Sequence, residues 1–246
     1  MNDEKKEKEL KVRKSQVPAE VHPIVPGTEE EAAEDSVMPR LRLLQSTSTE
    51  VEEGDSKAGN IRHSLSGEEW ETVEFIPLCI RKSRIHFDPK NPKGAPICFA
   101  PDGKTSRSGN RCLIDCPFDN AHLWKGDEPP PCDLVRSFPS LILKDGKISA
   151  EMDYASIPFV RSSTKAAQTL TYLRKKSGQP YWAFVYELST SPKKFQAGTA
   201  YIFGIRKLRP TTAKERDFAS RLYHTIEMKP VEEEEIAATP DDRFGK

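Results

Sequence analysis

Apolar and polar positions alternate along this chain in short runs separated by polar, Gly- and Pro-rich stretches, a pattern that predicts a mostly β protein. Residues 1–36 break that pattern: charge, Pro and Gly with almost no aromatic content predict a disordered arm. Leu41, Leu43 and Leu44 form the first apolar cluster and predict a strand, after which 45–60 reads as a polar loop. From Trp70 the alternation through Val73, Phe75 and Ile76 predicts a second strand, which Ile85, His86 and Phe87 extend. A long irregular segment follows. Beyond it, 140–148 reads as a strand ending in an Asp145-Gly146 turn.

The clearest helix opens at Ser162 or Ser163, carries Ala166, Ala167, Leu170 and Leu173 as a stripe, and stops at Gly178. Two strands over 181–188 and 198–208 come next, joined by a link containing Ser191-Pro192. Thr212 and Glu215 fit a capping box for a second helix with Phe218, Leu222 and Ile226 on its apolar face. Strands, a helix, then two long strands predict a β+α fold: an OB-like small barrel with an inserted four-cysteine subdomain of zinc-ribbon type. The expected organisation is an arm over 1–36, a nucleic-acid-binding domain over 37–226 with a zinc loop at 97–133, and an acidic tail over 227–246.

The irregular segment holds Cys98, Cys112, Cys116 and Cys132, spaced Cys-x13-Cys-x3-Cys-x15-Cys. Four thiolates close in sequence are what a tetrahedral structural Zn2+ takes as ligands. The turn 112–116 supplies one ligand pair, and Cys98 and Cys132 close the site from either side. His122 is an alternative donor and His86 a more remote one, while Cys79 reads as core. A catalytic zinc would need an open position beside a general base. Asp115 and Asp119 are the carboxylates close in sequence, and they read as turn and cap residues. The deaminase, Gly-rich phosphate-loop, nucleophile-elbow and His-Glu-x-x-His patterns are missing, so the expectation is a binder and no enzyme.

Composition sharpens this. Hydrophobic residues make up 36% and charged residues 31%, so part of the chain is expected to lie outside any packed core. With no long apolar run and no signal-peptide pattern, the expected setting is the cytoplasm or nucleoid of a bacterial or phage-infected cell, with no membrane partner. The net charge of zero conceals a balance of −7 over residues 1–72, +11 over 73–226 and −4 over 227–246. A basic body between acidic arms points to a polyanionic partner.

Single-stranded nucleic acid is gripped by cations tracking the backbone and by rings on which bases stack. The candidate cations are Arg81, Lys82 and Arg84 near the early strand; Lys104, Arg107 and Arg111 in the cysteine segment; Arg161 and Lys165 at the helix; and Lys193, Lys194, Arg206 and Lys207 in the late strands. The candidate rings are Trp124, Trp182, Tyr186, Phe195 and Tyr201, with Lys193, Lys194 and Phe195 assigned to the connecting loop.

A basic OB-like body, the cysteine quartet and the acidic stretches VEEEEI (231–236) and DDRF (241–244) together resemble the helix-destabilising single-stranded-DNA-binding proteins of T4-type phages. A zinc ribbon joined to an OB-fold also resembles the large subunit of replication protein A. The resemblance implies sequence-independent binding of single-stranded DNA, with RNA left open, in replication or recombination. It also implies a tail that covers the basic groove or recruits replication or recombination proteins. Two other classes stay open: a zinc-stabilised protein–protein adaptor in a replication, transcription or virion assembly, and a zinc-dependent nucleic-acid enzyme.

Overall fold

A computed structural model describes residues 38–227 except 89, 92–94, 119–122, 124–129, 149–152 and 196–197, with the backbone alone for 225–227. The predicted arm and tail, His122, Trp124, Asp119 and the Ile226 side chain lie outside the described residues. All described residues belong to one unit spanning 36–246.

The fold is mostly β and hangs from one strand. β7 (Cys132–Lys144) is 13 residues long and buried on both faces over most of its length. Along one edge it pairs with β5 (Arg81–Phe87) through 132–137 and β4 (Thr72–Pro77) through 140–143. Along the other it pairs with β9 (Tyr154–Phe159) and the short β8 (Lys147–Ile148). β6 (Pro96–Ala100) lies outside β5, and β10 (Phe184–Phe195) joins β4 to β11 (Gly198–Pro210). The eight strands thus follow the path β11-β10-β4-β7-β5-β6, with β8 and β9 attached to β7. Asp145 and Gly146, at φ 50° and 72°, make the predicted turn between β7 and β8. Both central residues have the positive φ of the turn that suits a tight hairpin.

A second, three-stranded sheet is made of β1 (Leu41–Leu43), β2 (Ile61–His63) and β3 (Glu69–Trp70). The predicted loop 45–60 contains a single helical turn, α1 (Thr49–Glu52). The start of this sheet lies between β9 and β11. Arg40 bridges Ser156 in parallel, and the Ser156 amide donates to the Pro39 carbonyl at 2.7 Å. The Gln45 side chain then copies a strand partner for β11, accepting from the Tyr201 amide at 2.8 Å and donating to its carbonyl at 3.0 Å. β9 and β11 do not pair among the described residues, so both sheets are open and the predicted closed barrel is corrected. Closure needs continuous pairing around the ring. Here one bridge and one side chain span the gap.

Helices cover the two faces. α2 (Thr164–Ser177) buries Ala166, Ala167 and Leu170 against Val73, Phe75, Phe138, Phe159, Tyr186 and Phe203, and Gly178 ends it at φ 65°. α3 (Ala213–Glu227) packs Ala219, with Phe218 and Leu222, on the opposite face against Ile76, Leu78, Leu141, Leu143 and Val185. No helix among the described residues is long and apolar enough to cross a membrane.

The predicted capping box at α3 forms: the Thr212 amide donates to Glu215 Oε2 at 2.7 Å, and the Glu215 amide donates to Thr212 Oγ1 at 3.2 Å. Glu215 also takes a forked pair of hydrogen bonds from Arg209 at 2.8 and 2.9 Å. The Arg209 guanidinium, aided by Thr212, holds the Glu215 carboxyl down to about 2. A depressed carboxylate contributes stability that is fully present above its unfolded value and is lost as pH falls through its folded one. Stability is therefore expected to fall between about pH 4.5 and 2 by this route. Glu215→Gln should cost roughly 1.5–3 kcal/mol at neutral pH and flatten that part of a denaturation-against-pH curve.

Candidate metal centre and nucleic-acid interface

The strand register brings three chemically useful side chains into one row. His86 in the middle strand β5 pairs with Cys98 of β6 on one side and Cys132 of β7 on the other. Residues directly opposed across strands share a face, so the row points one way. The irregular segment after β6 then folds over it. Asp102 accepts the Lys104 and Thr105 amides at 2.7 Å, which holds its carboxyl below the usual range and turns the chain. Thr105 bridges Arg111, and the Cys112 amide donates to the Lys104 carbonyl at 2.6 Å. Asp115 accepts the Arg111 amide at 2.7 Å and so closes the turn 112–116, where Leu113 adopts φ 76°. The sequence reading of Asp115 as a turn residue holds.

Cys98, Cys112, Cys116 and Cys132 consequently line one cavity, together with Arg84, His86, Ser106 and Phe118. Its volume of about 20 Å³ is enough for one ion or one water. None of the four forms a disulfide among the described residues, and Cys79 lies elsewhere. Among the described residues no three Cys, His, Asp or Glu side chains already converge at metal-binding distances; the thiols ring the cavity without closing on a common point. Burial raises the Cys98 and Cys112 thiols, and it pushes Cys132 up to about 11 although Arg84 hydrogen-bonds to it. His86 is 6% exposed, its Nδ1 is buried with no hydrogen-bond partner among the described residues, and burial lowers its pKa. The Phe118 ring stands edge-on to it at 4.9 Å.

The same sheet face carries cations. Lys82, Arg84 and His86 alternate along β5, and Arg136 of β7 lies opposite Lys82. Burial, and then the charge of Arg84, makes Arg136 easier to deprotonate than an ordinary arginine. Lys82 and Lys104 are exposed, Arg81 is half-buried, and Arg107 lies over the Phe99 ring at 5.0 Å. Arg111 is tied to Asp115, and Arg161 to the buried Asp133 at 2.7 Å. Lys165 is exposed on the first turn of α2.

The late strands differ from the expectation. β10 runs on through Ser191-Pro192 to Phe195, so Lys193, Lys194 and Phe195 belong to a strand. Only residues 186–189 of β10 pair with β4; beyond them β10 and β11 form a two-stranded ribbon. Pro is tolerated there because that edge of the strand has no partner to lose. Lys193 sits 5.1 Å above the Phe195 ring, and Lys207 sits 4.3 Å above Phe184. Arg206 is bound by Glu187 through both guanidinium branches.

One predicted stacking ring is corrected and two are constrained. Val185 and Tyr186 are both buried, on opposite faces, because β10 is covered on both sides at this point. Tyr186 is 0% exposed and cannot receive a base. Trp182 lies in a 3-10 turn (Tyr181–Ala183) and packs on Tyr223 of α3 at 4.7 Å. Tyr201 is half-buried over Gly59, where φ is 92° and a Cβ would come within 2.5 Å of the ring. His86 in the cavity and Arg136 beside it are what the sequence reading undervalued or missed. Their placement depends on which strands pair, and nothing local in the sequence signals that.

The family described as Pam3 phage gp34-like protein matches residues 24–232. The chain belongs to that phage-associated family. No curated protein and no solved structure matches it. The matched span contains the cavity, the basic face and the ribbon.

The Tyr186 hydroxyl is buried with no partner among the described residues. Tyr186→Phe should therefore leave stability unchanged or raise it by up to about 1 kcal/mol, whereas Tyr186→Ala should cost about 3–5 kcal/mol in urea unfolding.

Proposed function

We propose that this member of the family is a zinc-stapled, OB-like single-stranded-DNA-binding protein that acts as a binder in phage replication or recombination. One observation carries the reading. Setting aside the three-stranded sheet and the short β6 and β8, and taking β4 and β5 as one interrupted strand, the order is strand, β7, β9, helix α2, β10, β11. OB-folds grip oligonucleotides with the loop between their first and second strands and the loop between their fourth and fifth. Here those positions hold the cysteine segment and the basic ribbon.

Charge supports the same reading. Lys82, Arg136, Lys165, Lys193, Lys194 and Lys207 have no acidic partner among the described residues, while Arg42, Arg62, Arg111, Arg161, Arg206 and Arg209 do. Arg136 is half-buried, the five lysines are exposed to solvent, and a phosphate backbone would supply the anion for both. Cys98, Cys112, Cys116 and Cys132 would hold Zn2+, whose part here is to fix the segment that presents Lys104 and Arg107. The acidic stretch 231–246 is the proposed contact for replication or recombination proteins.

A second reading has its own support. Ile97, Leu113, Ile114 and Leu123 are 46–70% exposed and all belong to the cysteine segment. Such exposure favours an adaptor that docks a protein through this segment.

Fluorescence anisotropy with labelled oligo-dT at several salt concentrations separates the two. Binding that weakens with salt is expected. Lys193→Ala with Lys194→Ala should reduce the slope of log K against log salt by about 1.4, at about 0.7 per phosphate contact. Failure to bind even at low salt would rule the reading out and favour the adaptor.

A further inference from the structure

Five donors, the four cysteines and His86, face a cavity that has room for one ion, and tetrahedral zinc takes four. We propose that the centre is mixed: His86 supplies Nδ1 as a ligand beside three of the thiolates. The inference rests on metal binding at the four-cysteine cavity, as proposed above.

Three observations support the imidazole. First, the backbone register fixes His86 between Cys98 and Cys132, so its position does not depend on how the irregular segment settles. Directly opposed Cβ atoms lie about 4.5–5.5 Å apart. Tetrahedral bonds of about 2.0 Å to nitrogen and about 2.3 Å to sulfur put those two atoms roughly 3.5 Å apart. Side-chain rotation can reach that separation between His86 and either neighbouring cysteine, whereas the two cysteines themselves lie two strands apart. Second, Nδ1 is a buried polar atom with no hydrogen bond among the described residues, and it belongs to a ring that faces the thiols. A buried polar atom left unpaired is destabilising, and a metal bond removes that cost. Phe118, two residues beyond Cys116, holds the ring edge-on, so the turn that delivers one thiol also orients the imidazole.

Third, the charges balance. A divalent ion with four thiolates carries −2, and the cation lining the cavity is Arg84. Replacing one thiolate by a neutral imidazole leaves −1, which the Arg84 guanidinium neutralises. A half-buried centre favours the balanced set. Ligation through β5 also ties the cysteine segment to the strand that bears Lys82 and Arg84, so the metal would fix the segment against the basic face.

X-ray absorption at the zinc edge of the full-length, zinc-loaded protein reads the ligand set directly. Three sulfurs at about 2.3 Å and one nitrogen at about 2.0–2.1 Å are expected, changing to four sulfurs in His86→Ala as the spare cysteine moves in. His122→Ala should keep the nitrogen. Four sulfurs in the unmodified protein, or a nitrogen that persists in His86→Ala, would overturn the mixed centre while leaving zinc binding intact. A protein that retains no zinc at all would instead remove the metal reading itself, and the unmodified protein alone decides between these results if His86→Ala fails to fold.

Discussion

The pairing of β7 along both of its edges is the constraint on which the rest of the structure depends. Its first half is gripped by β5 and β9, and its second by β4 and β8. Side chains from this one strand enter three apolar clusters: Phe138 and Ile142 under α2, Leu141 and Leu143 under α3, and Val135 with Ile85, Phe99 and Val160. A slip of one residue would exchange the two faces and force every one of them into the wrong cluster. The same register sets Cys132 beside His86 and Arg136 beside Lys82. Core and candidate site are therefore fixed by one set of hydrogen bonds.

The cysteine segment is built differently. Its order comes from Asx and carboxylate turns at Asp102 and Asp115, and its apolar residues Leu113 and Ile114 face solvent. Ordering a backbone costs about 1–2 kcal/mol per residue, and little burial offsets that cost here. Structural zinc contributes about 10–16 kcal/mol in zinc-finger peptides, and the proposed metal would offset part of the cost here in the same way. The thiols ring a cavity of one-ion size, and the zinc proposed above would draw them onto a common point.

Sequence patterns revealed what local chemistry decides. Gly178 at the end of α2, the Thr212–Glu215 box and the Asp145-Gly146 turn are each set by a few neighbouring residues, and each is where the pattern put it. The cysteine quartet was legible from composition and spacing, and its four members do share a cavity. What depends on long-range pairing was not legible. Arg81-Lys82-Ser83-Arg84 looks too polar for a strand, yet it pairs along β7 with alternate residues on the basic face. The start of β7 is masked by Pro139, and Ser191-Pro192 suggests a turn where β10 in fact continues along an unpaired edge. Tyr186 is core and not surface because β10 is covered on both faces, which alternation alone does not reveal.

The central claim is that a metal in the cysteine cavity orders the segment presented beside the basic face. Amide hydrogen exchange of the full chain, followed with zinc and after chelation, tests it most directly. The account predicts that 98–118 loses protection on chelation while α2 and β10 keep theirs. Identical exchange in 98–118 with and without zinc would contradict it.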